Sequence, residues 1–273
     1  MDGVALVTGA SSGIGEATAL ELLRRGFTVY AAARRADRMA DVVAKGARPL
    51  AMDVTDDASV TAGVDGILAE TGRIDVLVNN AGYGSFGALE DVPLSEGKYQ
   101  FKVNVFGLAR LVQQVLPQMR ERGRGRIINI SSMGGKIYEP LGAWYHATKF
   151  AVEGLSDSLR LELKPFGIDV VIVEPGSIRT EWGSIAADKV EQTSGTTAYA
   201  DQARRVAAVL RESAAEGGKA SDPAVIAAVI GQAATARRPK TRYVAGYGAR
   251  PLLLARRLLP DRGFDRVMGL VFR

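Results

Sequence analysis

The sequence predicts an α/β fold in one domain, a doubly wound sheet of about seven parallel strands with helices on both faces. Three observations carry this. Apolar runs of strand length alternate with longer helical patterns up to about residue 245. The runs are apolar throughout rather than alternating, as in strands covered on both faces. Strand, glycine turn and helix also follow one another at the start of the chain, which is the context that gives a glycine-rich motif meaning.

The elements read in order. Val4-Ala5-Leu6-Val7 is a short buried strand. Thr8-Gly9-Ala10-Ser11-Ser12-Gly13-Ile14-Gly15 follows, then a helix through Leu20, Leu22 and Leu23, stopped by Gly26. Glycines there let the backbone approach a pyrophosphate, and the helix N-terminus favours negative charge; a plain tight turn is the alternative. Thr28–Ala32 is the second strand, and it ends at Ala33-Arg34-Arg35. An acid commonly holds two free ribose hydroxyls at this place. Here Ala33 stands there and arginines follow, with Arg38 close by, so a cofactor bearing a 2′-phosphate is expected, NADP(H) preferred and NAD(H) possible. A helix over about Ala36–Lys45 leads to strand three, Arg48–Met52, closed by Asp53-Val54. Asp53 either reaches an adenine or caps the turn before Ser59. A helix over Ser59–Thr71 and strand four, Ile74–Val78, end in Asn79-Asn80-Ala81-Gly82, small enough for a close ligand.

One long helix is expected over about Glu96–Arg122, with Phe101, Val105, Leu108, Leu111, Val112 and Val115 on its apolar face and a bend at Pro117. Asn104 among these must find partners if buried; it is either a water-holding site residue or a surface residue in a shifted register. Strand five, around Ile127–Ile130, ends at Ser131 and Ser132, where open α/β sheets bind ligands. The next helix opens with Ala143-Trp144-Tyr145-His146-Ala147-Thr148-Lys149 and runs to about Pro165. Tyr145 and Lys149 are four apart and share a face. A phenol titrates near pH 10, and a neighbouring cation lowers that, which makes a usable acid/base. His146 points off that face and reads as structural. Strand six, Asp169–Val173, ends in Glu174-Pro175-Gly176.

Regularity then falls away. Residues 177–221 read as a substrate lid with a helical stretch near Ala200–Arg211. Asp222-Pro223 starts a helix to about Ala236, and Arg242–Ala245 is a last strand. The domain so defined spans 1–250. Residues 251–273 form an amphipathic tail of leucines and arginines, expected to pack on the domain or a neighbouring subunit, with contact to a membrane surface as the rival.

Composition bounds the function. Hydrophobic residues make up 47% of 273, enough for a large core. Cysteine is absent and His146 is the single histidine, which argues against a structural metal site. A net charge of +5, without a basic face carrying stacking aromatics, argues against nucleic acid. After Met1-Asp2-Gly3 the chain enters a strand with no leader pattern, and no apolar run is long enough to span a bilayer, so a cytoplasmic location is expected.

Taken together these motifs resemble the short-chain dehydrogenase/reductase family, in its single-domain branch, over roughly residues 4–245. The turn Thr8–Gly15, with Gly9, Ser11, Ser12, Gly13, Ile14 and Gly15, is similar to the family's cofactor turn. Asp53 with Val54 matches its adenine site, and Asn80-Ala81-Gly82 its strand-four motif. Pro175, Gly176, Ile178 and Thr180 match the segment that holds the nicotinamide carboxamide. Asn104, Ser132, Tyr145 and Lys149 match the catalytic tetrad, with Ser131 as the competing serine. The C-terminal part more weakly resembles the branch of 17β-hydroxysteroid and retinol dehydrogenases. The resemblance implies a Rossmann fold, hydride transfer between a nicotinamide cofactor and a carbonyl or alcohol, and a homodimer or homotetramer. Tyr145 would be the general acid/base, Lys149 would lower its pKa and hold the ribose, Ser132 would hydrogen-bond the substrate oxygen, and Asn104 would keep a water on Lys149. Tyr83, Phe86, Leu141, Trp144, Trp182 and Ile185 are the expected pocket residues, for a small apolar substrate. An NAD-dependent alcohol dehydrogenase, a noncatalytic nucleotide sensor and a lyase or epimerase are the competing functions.

Overall fold

The computed structural model describes residues 3–215 and 217–272; Met1, Asp2, Glu216 and Arg273, within the expected start, lid and tail, lie outside them. In chain order the elements are β1 (Val4–Thr8), α1 (Gly13–Arg24), β2 (Thr28–Ala33), α2 (Ala40–Ala44), β3 (Arg48–Ala51), α3 (Asp57–Thr71), β4 (Val76–Asn79), α4 (Leu94–Phe101), α5 (Leu108–Glu121), β5 (Gly125–Ile130), α6 (Ala143–Leu163), β6 (Ile168–Pro175), α7 (Glu181–Ser194), α8 (Ala200–Ala214), α9 (Pro223–Thr235), β7 (Arg242–Ala245), α10 (Ala249–Leu258) and α11 (Asp261–Val271). The strands form one parallel sheet in the order β3-β2-β1-β4-β5-β6-β7. This is a Rossmann fold. Its order reverses between β1 and β4, so the carboxyl ends of those two strands open a crevice.

Parallel strands are covered on both faces, and successive side chains along each strand go to opposite cores. Leu6, Leu77 and Ile127 join Ile67 and Leu111 under α3 and α5. Val7, Val78 and Ile128 join Leu22, Ile226 and Ile230 under α1 and α9. Full burial of each such aliphatic side chain contributes about 1.5–3 kcal/mol. Helix starts follow local capping chemistry. The Asp56 carboxylate accepts from the Ala58 and Ser59 N–H groups at the start of α3, and Asp222 accepts from Ala224 N at α9, with Pro223 in the first turn.

Two expectations are corrected. The long helix expected over 96–122 is two helices joined by a π-helical turn over Lys102–Gly107. Periodicity does not reveal it, because the spacing Phe101, Val105, Leu108 suits an unbroken helix. Gly107 sits in this turn against the Val54 carbonyl, where a Cβ would come within 2.7 Å. Pro117 lies inside α5 without ending it.

The expected lid is regular rather than irregular. Its first part is α7, capped by Thr180, and its second is α8. Small residues, Ala186, Ala187, Ala203 and Ala207, bury the faces between them, and alanine stripes give a weak apolar period. The tail is two helices, and Phe264, Met268 and Phe272 are buried in the same cluster as α7 and α8. It packs on the domain through these residues, while Leu254, Leu258 and Leu270 remain exposed. Among the described residues no helix is long and apolar enough to cross a membrane.

Phe264 is fully buried, with its ring edge-on to Tyr138 at 5.4 Å between centroids. Phe264→Ala is expected to destabilise the whole fold by roughly 3–5 kcal/mol, read as a lower midpoint of denaturant unfolding. A midpoint unchanged within error would mean that α11 is not part of the cooperative unit.

Candidate active site

The crevice is built on a seam of hydrogen bonds between the ends of β1 and β4. Thr8 Oγ1 accepts from Asn80 N at 3.1 Å and Ala81 N at 3.0 Å, and the Asn80 amide donates to Thr8 O at 2.9 Å. Gly9 and Gly13 turn the chain with φ of +67° and +55°. Gly15 differs from its expected role. It does not line the crevice; a Cβ there would lie 2.1 Å from Gly9 O and 2.6 Å from the Asn80 amide, so this glycine lets α1 close onto the turn.

A single cavity of about 820 Å³ takes in Gly9, Ser11, Ser12, Gly13 and Ile14 of the turn, Arg34 and Arg35 after β2, and Asp53 and Val54 after β3. It also takes in Asn80, Ala81 and Gly82, then Ser132, Tyr145 and Lys149, and then Pro175, Gly176, Ile178 and Thr180. Residues far apart in the chain thus meet because every strand ends on the same side of the sheet. The arrangement fits a nicotinamide dinucleotide. Ser12 makes no side-chain cap bond, so the first N–H groups of α1 are left for an anion. Thr180 closes over Gly13, where a Cβ would meet its Cγ2 at 2.9 Å. Arg34 is exposed at the rim, 3.3 Å from the Tyr99 hydroxyl. Asp53 lines the cavity and caps the turn before Ser59, its carboxylate accepting from Thr55 N at 2.9 Å and Thr55 Oγ1 at 2.8 Å, while Asp56 caps α3.

Asn104 is buried, so the register of its helix is right, but its side chain does not line the cavity. Its Oδ1 accepts from Tyr83 N at 3.0 Å, and its Nδ2 donates to Tyr83 O at 2.9 Å and Thr148 Oγ1 at 3.1 Å. The amide braces the loop after β4 against α6. Of the two serines, Ser132 sits with Tyr145, while the Ser131 hydroxyl packs beside Gly135 and Glu153.

The ionisation of the pair departs from expectation. Burial pushes the Tyr145 phenol up to about 12, with Ser132's hydrogen bond working against it and Glu139's charge adding to it. Lys149 does not lower it here. Its ammonium donates to Ile130 O at 3.0 Å and stands 5.9 Å from the phenol ring centre, and burial pushes Lys149 itself down to about 8, opposed by the Glu153 charge.

Part of the cavity was not legible in the sequence. Tyr83, Trp182 and Ile185 line it as expected, but Phe86, Leu141 and Trp144 do not. Phe86 is fully buried behind Tyr145, 5.6 Å between ring centres, and Leu141 is core. Trp144 packs edge-on to Phe101. Ile137, Glu139, Leu252, Met268 and Phe272 line the cavity instead, two of them brought by α11 and its end.

His146 is structural. A carbonyl only accepts, so the contact of Nδ1 with Gly134 O at 2.9 Å places the proton on Nδ1. Nε2 then accepts from Glu139 N at 3.1 Å, and burial lowers the ring's pKa, keeping it neutral. Among the described residues no cluster of His, Asp and Glu is disposed to hold a metal ion.

Fold and crevice define a dinucleotide-binding α/β protein with a phenol, an ammonium and a hydroxyl at one strand end. The short chain dehydrogenase family profile matches residues 3–191, and the chain belongs to that family. It is accordingly an oxidoreductase acting on CH–OH donors with NAD(P). A short-chain dehydrogenase of Streptomyces avermitilis is 37% identical, superimposes with a TM-score of 0.78, and covers 99% of this chain and 96% of its own. The NADPH-dependent 3-dehydrocapnine reductase of Ornithobacterium rhinotracheale is 34% identical over 96% of this chain and 95% of its own. A family member from Burkholderia phymatum in complex with NAD is 26% identical, with a TM-score of 0.79 over 94% of this chain and 92% of its own.

The Glu139 carboxyl is pushed up to about 7 by burial. An unfolded glutamate titrates near 4.3, so the folded state binds more protons between those values and stability falls as pH rises from about 4.3 to 7. Glu139→Gln removes that loss. Its unfolding free energy is expected to exceed the unmutated protein's at pH 8, by up to roughly 3 kcal/mol, read as a higher midpoint, and to approach it near pH 4. Thermal unfolding at the two pH values checks this.

Proposed function

We propose that the chain is an NADP(H)-dependent oxidoreductase that interconverts a carbonyl and an alcohol on an apolar substrate, with Tyr145 as general acid/base. The observation that carries this reading is the meeting of Ser132, Tyr145 and Lys149 in the cavity that also holds the glycine turn and the end of β2. When bound, the cofactor supplies or accepts the hydride. Tyr145 gives its phenolic proton to the carbonyl oxygen in reduction and takes the alcohol's proton in oxidation. The buried phenol is protonated at neutral pH, the form that donation requires. Ser132 donates a hydrogen bond to the substrate oxygen, where charge develops. Lys149 holds the ribose hydroxyls and keeps a positive charge beside the phenol. With its side chain engaged by Tyr83 and Thr148, Asn104 acts by holding the Tyr83 loop and α6 in place.

Tyr145→Phe keeps the ring and removes the proton. Turnover is expected to fall about a hundredfold or more, as loss of general acid catalysis implies, with cofactor binding nearly intact by fluorescence titration. Normal turnover by the Phe variant on a confirmed substrate would exclude Tyr145 as the acid.

The preference for the 2′-phosphate rests on Ala33 and Arg34. No acid stands at the end of β2 to repel the phosphate, and Arg34 and Arg35 line the cavity there. The NADPH dependence of the Ornithobacterium relative supports this reading, while the Burkholderia family member is in complex with NAD. A hydrogen bond to a charged group is worth about 1.5–3 kcal/mol, so NADPH should be favoured by roughly tenfold or more. Arg34→Ala is expected to raise the KM for NADPH and leave that for NADH nearly unchanged. The ratio of specificity constants for the two cofactors checks it, and an unmutated enzyme that uses NADH equally well would sink the preference.

A homodimer or homotetramer with a cytoplasmic location is part of the same reading. The exposed leucines of α10 and α11 are the surface through which a second subunit or a membrane would be met.

A further inference from the structure

We propose that Glu139 is a substrate-recognition residue whose carboxylate binds a protonated amine close to the reacting carbonyl, so that the preferred substrates are amino ketones or amino alcohols. This rests on the reading of Tyr145 as the acid that serves a carbonyl in this cavity.

Glu139 lies in the loop between Ser132 and α6 and lines the cavity. Its side chain is 17% exposed, and among the described residues its carboxylate accepts no hydrogen bond. The neighbour with ionisable nitrogen is His146, whose Nε2 stands 3.9 Å from Oε1. That nitrogen carries no proton, because its lone pair already accepts the Glu139 N–H. The two are therefore not an ion pair. Lys149, in the same cavity, is no substitute, since its ammonium donates to Ile130 O and its charge interacts with Glu153. The cavity that Glu139 lines is also lined by the apolar or aromatic side chains of Met133, Ile137, Trp182, Leu252 and Met268.

A largely desolvated carboxylate without a partner is costly. A polar group left unpaired inside a cleft is a binding-group candidate. The group is also held in register with the acid. Ser132 Oγ accepts from Gly134 N at 3.0 Å, His146 Nδ1 donates to Gly134 O, and His146 Nε2 accepts from Glu139 N. The His146 and Tyr145 rings stand 5.5 Å apart. This chain ties the Glu139 backbone to the ring beside the phenol, and the Glu139 charge is felt at Tyr145. An alcohol on the substrate would give the carboxylate a hydrogen bond but leave its charge uncompensated, whereas an ammonium supplies both.

The test has a binding arm and a kinetic arm, both at pH 8. In the first, octylamine and octanol are titrated against the unmutated protein and Glu139→Gln, with Trp182 fluorescence and thermal shift as readouts. Octylamine is expected to bind the unmutated protein at least tenfold more tightly than octanol, and the Gln variant to lose that difference. Equal affinities in the unmutated protein, or a difference that survives in the Gln variant, would overturn the proposal. This arm does not depend on turnover, so it stands or falls apart from the role of Tyr145. In the second, ketones of equal length with and without an amine beside the carbonyl are compared. The ratio of their kcat/KM values is expected to be tenfold or more and to collapse toward one in Glu139→Gln, chiefly through KM. A ratio near one in the unmutated enzyme, or a ratio that the substitution leaves unchanged, would also overturn it. If neither ketone turns over while octylamine binding still depends on Glu139, the carbonyl chemistry fails and the amine site remains.

Discussion

The arrangement depends on one seam, the close approach of the β1 and β4 carboxyl ends. Strand order reverses there, so the following loops diverge and leave a crevice. The seam is held by Thr8 and Asn80, whose side chains bond each other's backbone. It admits only glycine at positions 9 and 15, because a Cβ at Gly9 would meet the Asn80 amide at 2.9 Å and one at Gly15 would meet the Gly9 carbonyl. The first turn of α1 is thus set against the sheet with its N–H groups toward the crevice. Every other contributor is positioned relative to this seam.

One helix then serves several purposes through its faces. Around the start of α6, Tyr145 and Lys149 face the cavity, His146 turns back to hold the loop that carries Glu139, and Thr148 receives the Asn104 amide. One turn beyond Lys149, Glu153 is buried with Glu174 among Arg242 and Lys136. This charge cluster crosses from α6 to β6 and β7, fixing the helix against the sheet end. The carboxylates and cations largely compensate one another, which makes the uncompensated Glu139 stand apart. The stability–activity balance of a binding site takes this form, with a group that weakens the fold where it contacts ligand.

The far wall of the cavity comes from α7, α8 and the two terminal helices. Their shared cluster around Phe264 and Val190 places Met268 and Phe272 where the substrate side of the cavity lies. Small residues between α7 and α8 let these helices pack closely, and the aromatic contacts of Phe86 and Trp182 with Tyr145 join that layer to α6. Changes in the C-terminal helices are therefore changes in the cavity's shape.

The strand–helix alternation, the glycine turn, the serine at the end of β5 and the Tyr145–Lys149 pair were legible in the sequence because they are local: apolar period, capping residues and spacing along one helix define them. The missing acid after β2 was legible for the same reason. The π-helical turn at Asn104 and helix α7 were not, since an apolar period tolerates one and small-residue packing hides the other. The roles of Gly15 and Asn104 came from contacts with Gly9 and Tyr83, which are distant in the chain or defined only by the fold. Whether the phenol is lowered by the lysine or raised by burial also lay beyond the sequence, because desolvation depends on the whole surrounding layer. Glu139 in its polar-looking loop, and the tail residues that complete the cavity, acquired their meaning only when tertiary packing enclosed them. The sequence determined which groups lie at the strand ends, and the tertiary structure decided which of them are desolvated, paired or left facing a ligand.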